Sequence, residues 1–232
     1  MRTPAHTLYV VRHGENPANL TREFSYKLID YSLTEKGILQ SEQTAIRLRD
    51  LGIHAVYSSP LKRALETALI IAAPLGLPVA TLEAFRENNV GDLEGQPPSD
   101  ENWALHDRII ADWYAGRHDV AFPGGEDFRT QLARVKHGLT AILATDTDTD
   151  PGTANATDAA NVTDAAGERR IVLVAHGGII SGMARGLATG PDLGPTGAKG
   201  CPNCSVTEFS ARLIDGELEL HLREWAASDH LS

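Results

Sequence analysis

The chain has 232 residues, of which 42% are hydrophobic and 22% are charged, and its formal net charge is -10. These values are typical of a globular protein, and the charge argues against nonspecific binding to nucleic acid or to an anionic membrane. No apolar run reaches the roughly 20 residues that span a bilayer, and the N-terminus lacks the apolar core of a signal peptide. We therefore expect a cytoplasmic protein without nucleic-acid or membrane partners.

Apolar runs rich in β-branched residues alternate with helical patterns along the chain. The runs predict strands over residues 7–11, 55–58, 79–83, 171–175, 205–210 and 217–225. The helical patterns cover residues 35–51, 62–73, 101–115, 127–144 and 178–188. Such alternation predicts a single α/β domain over residues 1–232, a three-layer α/β/α sandwich with a mostly parallel sheet. Because the last two strands follow each other closely, we predict an antiparallel hairpin at the sheet edge.

Two segments depart from this pattern. Residues 145–168 carry almost no large apolar side chain, so they cannot bury enough surface to offset the entropy of ordering, and we predict a disordered insertion. Residues 96–126 carry Trp103, Trp113 and Tyr114 among prolines and charged residues. That composition fits an ordinary helix with aromatic anchors, and it equally fits a lid over a pocket.

Four predicted strands are followed by residues that suit phosphate chemistry. Arg12 and His13 follow the first strand, and Arg63 lies in the first turn of the helix after the second. Glu87 follows the third strand and His176 the fourth. Parallel strands bring their carboxyl ends to one edge of a sheet, which is where open α/β sheets bind ligands. The sequence therefore predicts one site with two guanidinium groups, two imidazoles and a carboxylate.

This set of side chains is suited to phosphoryl transfer without a metal or a cofactor. A neutral imidazole attacks phosphorus when its other nitrogen is held by a hydrogen bond. Arginine forks bind the equatorial oxygens, and a carboxyl group protonates the leaving alkoxide and then activates water. A metallohydrolase built on the two histidines is disfavoured, because arginines rather than carboxylates surround them.

Seven spaced motifs extend this pattern from residue 8 to about residue 225. They are VRHGE at 11–15 with Asn19, DYSLTEKG at 30–37 with Gln40, SSPLKRA at 58–64 with Thr67 and Ala68, RE at 86–87 with GDLEG at 91–95, PGGE at 123–126, VAHGG at 174–178 and NCSV at 203–206. On these motifs the chain resembles the histidine phosphatase superfamily, in the branch that contains cofactor-dependent phosphoglycerate mutase and many small phosphatases.

The resemblance implies a role for each matched residue. His13 would be the nucleophile that becomes phosphohistidine, and Glu87 would be the proton donor and then the base. The groups implied to hold the phosphate are Arg12, Arg63, Asn19, His176 and the backbone amide of Gly177. The resemblance also implies the three-layer fold. Dimers are common among related proteins, so a homodimer is one option, and the sequence leaves the oligomeric state open.

The chain departs from the mutases at two places. In mutases a Ser/Thr-Gly pair approaches the substrate, whereas the matching positions here are Ser25 and the bulky Tyr26. Mutase lids also carry an adjacent arginine pair and a lysine for a second phosphate, whereas residues 96–126 offer only the separated Arg108 and Arg117. These differences favour hydrolysis over mutase activity.

The leading hypothesis is thus a metal-independent phosphomonoesterase that acts on a small phosphorylated metabolite through a phosphohistidine. A cofactor-dependent phosphoglycerate mutase is the first alternative, and a catalytically weak regulatory or binding protein of the same fold is the second. The substrate could be a sugar phosphate, a phosphoglycerate derivative, a nucleotide or a biosynthetic intermediate. The lone Cys-x-x-Cys of Cys201 and Cys204 is interpreted as structural or incidental rather than as a redox or zinc pair.

Overall fold

The structure is a computed structural model that describes residues 4–144, 167–194 and 200–232. The insertion predicted at residues 145–168 lies outside the described residues except for its last two. The strands are β1 (His6–Arg12), β2 (Ala55–Ser58), β3 (Val79–Thr81), β4 (Arg170–Ala175), β5 (Ala188–Thr189), β6 (Val206–Ile214) and β7 (Glu217–Ala227). The helices are α1 (Pro17–Thr21), α2 (Glu35–Leu48), α3 (Lys62–Ala72), α4 (Asp100–Tyr114), α5 (Phe128–Ala144) and α6 (Gly177–Gly182). None of the helices within these ranges has the length and apolar character needed to cross a membrane.

The strands form one seven-stranded sheet in the order β3-β2-β4-β1-β6-β7-β5. Strands β1, β2, β3 and β4 pair in parallel, and β5 is parallel to β7. Among the described strands only β6 runs against the rest, since it is antiparallel to both β1 and β7. The predicted α/β fold with a mostly parallel sheet is confirmed.

Successive strand residues point to opposite faces of the sheet, and an apolar cluster covers each face. On one face Leu8 and Leu173 pack in a cluster with Leu139 of α5. On the other face Val172 packs in a second cluster with Ile71 of α3. The sheet therefore lies between two helical layers. Packing on both faces fixes the strands, and with them the positions of the residues that follow each strand.

The predicted boundaries differ from the observed ones near the sheet edge. The helix predicted over residues 178–188 ends at Gly182, continues as a π-helical turn over Met183–Leu187, and gives way to β5. Because β5 pairs with β7 through Ala188 and Leu220, the hairpin of β6 and β7 is not at the edge, contrary to the prediction. The residues after the π-helical turn form β5, which pairs with β7.

Residues 96–126 contain α4 and part of a third apolar cluster, separate from the two beside the sheet. Trp113 and Phe122 are almost fully buried in this cluster, and Trp113 Nε1 donates a hydrogen bond to the carbonyl of Val120 at 2.6 Å. Trp103 and Tyr114, both on α4, pack against this cluster and also line an open cleft. The segment therefore combines aromatic anchors with one wall of a pocket.

Candidate active site

His13 is fixed at the carboxyl end of β1. Its backbone N–H donates to the carbonyl of Ala175 at 3.0 Å, and the residue is only 3% exposed. The next position, 14, requires glycine, because a Cβ there would lie 2.5 Å from the carbonyl oxygen of Gly37. The Nδ1 atom of His13 lies 2.7 Å from the carbonyl oxygen of Gly14, which can only accept, so Nδ1 carries the proton. The lone pair is therefore on Nε2, as a nucleophilic imidazole requires.

Two arginines lie beside this lone pair. Arg63, at the start of α3, donates from Nε to His13 Nε2 at 3.1 Å and from Nη2 to the carbonyl of Ser25 at 2.8 Å. Burial lowers the pKa of Arg63 to about 10, partly offset by the nearby carboxylate of Glu87, so its guanidinium stays charged at neutral pH. Nη1 of Arg63 and Nε of Arg12 are buried and find no hydrogen-bond partner among the described residues. Buried donors of this kind require an acceptor, and an anion supplies one.

His176 completes the arrangement. Its ring centroid lies 5.2 Å from that of His13, and its Nε2 lies 2.8 Å from the hydroxyl oxygen of Ser59. That hydroxyl accepts the backbone N–H of Leu61 at 3.3 Å, and when its own hydrogen is donated to Nε2 the ring is the Nδ1–H tautomer. In this tautomer Nδ1 of His176 carries a proton, and Nδ1 is buried without a partner in the described part of the chain. It is a third donor available to an anion.

Both imidazoles are neutral at physiological pH. Burial is the largest cause that holds the pKa of His13 and of His176 well below 6.5, and the positive charge of Arg63 lowers both further. A neutral ring keeps its lone pair, which makes His13 competent for attack without prior deprotonation.

Glu87 is held at the mouth of the same site. Its carboxylate accepts the backbone N–H of Asn88 at 2.8 Å and that of Gly178 at 3.3 Å. A Cβ at position 178 would lie 2.5 Å from Glu87 Oε1, so the close approach requires glycine. Glu87 lines the cleft together with Arg12 and His13. A carboxylate placed there is in position to exchange a proton with a leaving group.

The remaining predicted residues lie in the same cleft, whose volume is about 390 Å³. Asn19 Oδ1 accepts a hydrogen bond from Asn203 Nδ2 at 3.1 Å, and Asn203 also donates to the carbonyl of His13 at 2.9 Å. Ser25 and Gly177 form part of the wall. Seven of the eight predicted site residues therefore line one cleft, and His176 lies against the ring of His13 beneath it.

Sequence reasoning assigned no role to three residues that shape the site. Ser59 lies in the motif at 58–64 and Asn203 in the motif at 203–206. Nothing in the sequence shows that Ser59 contacts His176 or that Asn203 contacts His13. Glu94 is the third: one carboxylate oxygen accepts the backbone N–H groups of four successive residues, 26–29, at 2.6, 2.6, 2.9 and 3.3 Å. This arrangement braces the loop that carries Ser25. The only sequence signal for Glu94 was its place in the motif at 91–95, which has two glycines and two acidic residues.

Other candidate residues have structural surroundings. Glu15 binds Lys36 Nζ at 2.9 Å and accepts a hydrogen bond from the Thr34 hydroxyl at 3.0 Å, so it forms an ion pair next to the N-terminus of α2. Cys201 and Cys204 are free and buried. Burial raises the pKa of both thiols, that of Cys204 to about 11. Within the described ranges, no three His, Cys, Asp or Glu side chains are grouped as metal ligands.

The fold and the cleft define an α/β protein in which two histidines and two arginines meet at the carboxyl end of the parallel strands. The family model described as "Histidine phosphatase superfamily (branch 1)" matches residues 8–223, and the chain belongs to this superfamily. The resemblance found in the sequence is thereby confirmed.

Known proteins with similar sequences or structures carry both phosphatase and mutase names. The chain is 32% identical over 226 residues to phosphoglycerate mutase-like protein 4 of Arabidopsis thaliana, covering 97% of this chain and 86% of that one. The mycobacterial glucosyl-3-phosphoglycerate phosphatase in complex with VO3 superposes with a TM-score of 0.73 at 28% identity, covering 97% of this chain and 100% of that one. YhfR of Bacillus stearothermophilus has a TM-score of 0.73 at 25% identity, covering 98% and 100%.

Proposed function

We propose that this protein is a metal-independent phosphomonoesterase that hydrolyses a small phosphorylated metabolite through a phosphohistidine at His13. The observation that carries the proposal is the set of buried, unpartnered donors on Arg12, Arg63 and His176 around the neutral ring of His13. Donors on three side chains around a nucleophile match the oxygens of a phosphoryl group. The similarity to a mycobacterial phosphatase supports the same reading.

The first half of the proposed reaction transfers the phosphoryl group to the protein. Before substrate binds, Arg63 Nε donates to the Nε2 lone pair of His13, so that lone pair is engaged. An arriving phosphate is a stronger acceptor and takes over this donor, which frees Nε2 for in-line attack on phosphorus. The P–O bond to the alcohol breaks, the new N–P bond forms, and the carboxyl group of Glu87 gives its proton to the leaving oxygen.

The second half restores the protein. The Glu87 carboxylate takes a proton from water, whose oxygen attacks phosphorus as the N–P bond breaks. Inorganic phosphate leaves, and Glu87 is protonated again for the next turnover. No step requires a metal ion, because the guanidinium groups of Arg12 and Arg63 balance the charge of the phosphoryl oxygens.

The charges of the cleft support hydrolysis rather than mutase activity. Among the described residues, Arg12 and Arg63 are the only arginines or lysines that line it. Of the two lid arginines, neither Arg108 nor Arg117 lines it, and Arg117 forms an ion pair with Asp112. A mutase must hold a bisphosphate, and the cleft offers no second cationic group for the second phosphate. A catalytically weak regulatory protein would have no need of the nucleophile geometry at His13.

A panel of phosphate esters, assayed for phosphate release with excess EDTA, tests the proposal. We expect turnover that EDTA does not reduce, and an acid-labile, base-stable phosphoryl adduct that is lost in His13→Ala. Full activity of His13→Ala, or activity abolished by EDTA, would contradict it. In a parallel assay, isomerisation of 3-phosphoglycerate that depends on a bisphosphate primer would identify a mutase instead.

A further inference from the structure

Part of the cleft, called here its aromatic end, is lined by aromatic and apolar side chains, those of Phe24, Trp103, His106, Ile110 and Tyr114. Phe24 and Trp103 stack with their ring centroids 4.4 Å apart. Trp103 Nε1 donates to the carbonyl of Arg22 at 2.9 Å, which fixes the ring in place. This end of the cleft therefore presents a rigid, mainly apolar surface to the alcohol part of the ester.

The two arginines that contact these aromatic rings do not line the cleft. Arg22 lies over the Trp103 ring at 5.3 Å and pairs with Asp100 at 3.6 Å. Arg185 lies over the Tyr114 ring at 4.5 Å and donates to a backbone carbonyl. Neither arginine is among the residues that line the cleft.

Three ionisable side chains line this end: His106, Glu23 and Tyr114, and burial raises the pKa of Tyr114, so its phenol is neutral at physiological pH. His106 Nδ1 lies 2.9 Å from the carboxylate of Asp107, which offsets any charge on the ring. Glu23 is half-buried, and its Oε2 accepts a hydrogen bond from the Thr21 hydroxyl. Glu23 Oε1 has no hydrogen-bond partner among the described residues. The local charge at this end is therefore negative.

Resting on the phosphatase function proposed above, we propose that the substrate is a phosphomonoester whose alcohol part contains a ring and carries no negative charge. The ring packs against Phe24 and Trp103, where stacking and apolar burial stabilise it. A hydroxyl or ammonium group on that ring donates to Glu23. A carboxylate or second phosphate on the alcohol would lose water, find no cation and meet the Glu23 carboxylate, so it is selected against.

A charge series on one ring tests the selection. The three esters are 4-(aminomethyl)phenyl, 4-(hydroxymethyl)phenyl and 4-(carboxymethyl)phenyl phosphate, in which the methylene keeps the charge away from the leaving oxygen. We expect kcat/KM to fall in that order, with the carboxylate ester about tenfold below the hydroxyl ester, the effect of one unfavourable charge contact. In Glu23→Gln the kcat/KM of the ammonium ester divided by that of the carboxylate ester should fall about fivefold. Glu101→Gln, which makes the same change in net charge at an exposed site on α4, should leave the ratio unchanged.

A second comparison tests the ring. Benzyl phosphate should have a KM about tenfold below that of ethyl phosphate, because stacking and apolar burial together supply about 1.4 kcal/mol. In Trp103→Ala this preference should shrink. If the esters are cleaved with no charge ranking, or the carboxylate ester is preferred, the selection is wrong while the phosphatase function stands. If none of these esters is cleaved while other esters of the panel are, the selection is wrong and the phosphatase function stands. If no ester of either set is cleaved, the phosphatase function fails, and the selection fails with it.

Discussion

Arg63 Nε donates a hydrogen bond of 3.1 Å to His13 Nε2, the atom expected to attack phosphorus. In the free protein the arginine thus occupies the lone pair of the proposed nucleophile, and in the proposed mechanism the same donor passes to the phosphate. This exchange ties activation of the nucleophile to the arrival of an anion. It also makes the shape of the guanidinium group, and not only its charge, part of the mechanism.

The first prediction concerns that shape. Arg63→Lys keeps the charge but loses the planar fork that reaches both His13 and the carbonyl of Ser25. We expect kcat to fall by about 10²–10³-fold, the usual cost of one lost donor at a developing charge. Phosphate release under saturating substrate measures it, with the neighbouring exposed Lys62→Gln as the control. Wild-type kcat in Arg63→Lys would show that charge alone suffices.

The second prediction concerns acid stability. Burial and Arg63 hold the pKa of His13 and His176 well below the 6.5 at which the unfolded chain protonates. Between those values the unfolded state binds more protons than the folded state, so stability is complete above pH 6.5 and falls as the pH decreases. Each imidazole contributes a slope of about 1.4 kcal/mol per pH unit in that window. Thermal unfolding between pH 7.5 and 5 measures it.

A matched pair of variants isolates this effect from other acid-sensitive groups. His176→Gln removes one buried imidazole, so its Tm should depend less steeply on pH below 6.5. His221→Gln removes an exposed imidazole and should retain the full slope. Equal slopes in the two variants would mean that burial of His176 does not set the acid response.

The third prediction assigns Ser59 as a positioning residue. Its hydroxyl accepts the Leu61 N–H and lies 2.8 Å from His176 Nε2, and we propose that it donates to Nε2, which places the proton of His176 on Nδ1. In Ser59→Ala the tautomer is no longer fixed, so we expect kcat/KM to fall about tenfold, the loss of one hydrogen bond of about 1.4 kcal/mol. The ¹⁵N chemical shifts of His176 should move toward a tautomer mixture.

Ser58→Ala is the matched control for that experiment. The Ser58 hydroxyl is also buried, but it donates to the carbonyl of Ser59 at 2.7 Å rather than to a ring. The two variants should lose similar stability, while only Ser59→Ala should change the His176 spectrum. If both variants altered catalysis and the spectrum alike, Ser59 would have only a packing role.

The fourth prediction concerns the loop held by Glu94. Its carboxylate accepts four consecutive backbone N–H groups of residues 26–29. Glu94→Gln keeps an oxygen but removes the charge, so these bonds weaken by about 1–2 kcal/mol in all. Amide exchange of residues 26–29 should accelerate and KM should rise several-fold. Glu42→Gln, exposed on α2, should change neither, and unchanged exchange in Glu94→Gln would refute the bracing role.

The sequence predicted the placement of the site because strand direction determines it. His13, Arg63, Glu87 and His176 each follow a strand of one parallel set, so period-two burial and topology alone bring them to one edge. The same reasoning could not find β5, since a two-residue strand has no periodicity to detect. It also extended the last helical pattern through the π-helical turn, whose composition does not differ from that of an α-helix.

The supporting residues were harder to predict, because their partners are remote in the sequence. Ser59 lies 117 positions from His176, and Asn203 lies 190 positions from His13. Each contact depends on how a loop folds, and no local pattern encodes that. The two roles of residues 96–126 were also undetermined, since α4 has one face in an apolar cluster and another in the cleft. Both faces require aromatic residues, for different reasons.

The position of β1 has a consequence for how activity arises during synthesis. Its neighbours on either side are β4 and β6, which begin at Arg170 and Val206, so the strand that ends beside His13 is made long before the two strands that enclose it. Pairings this distant slow folding, and they leave β1 an open edge on the ribosome until β4 and β6 have emerged. Truncated products that stop before Arg170 would carry His13 yet lack the strands that bury it.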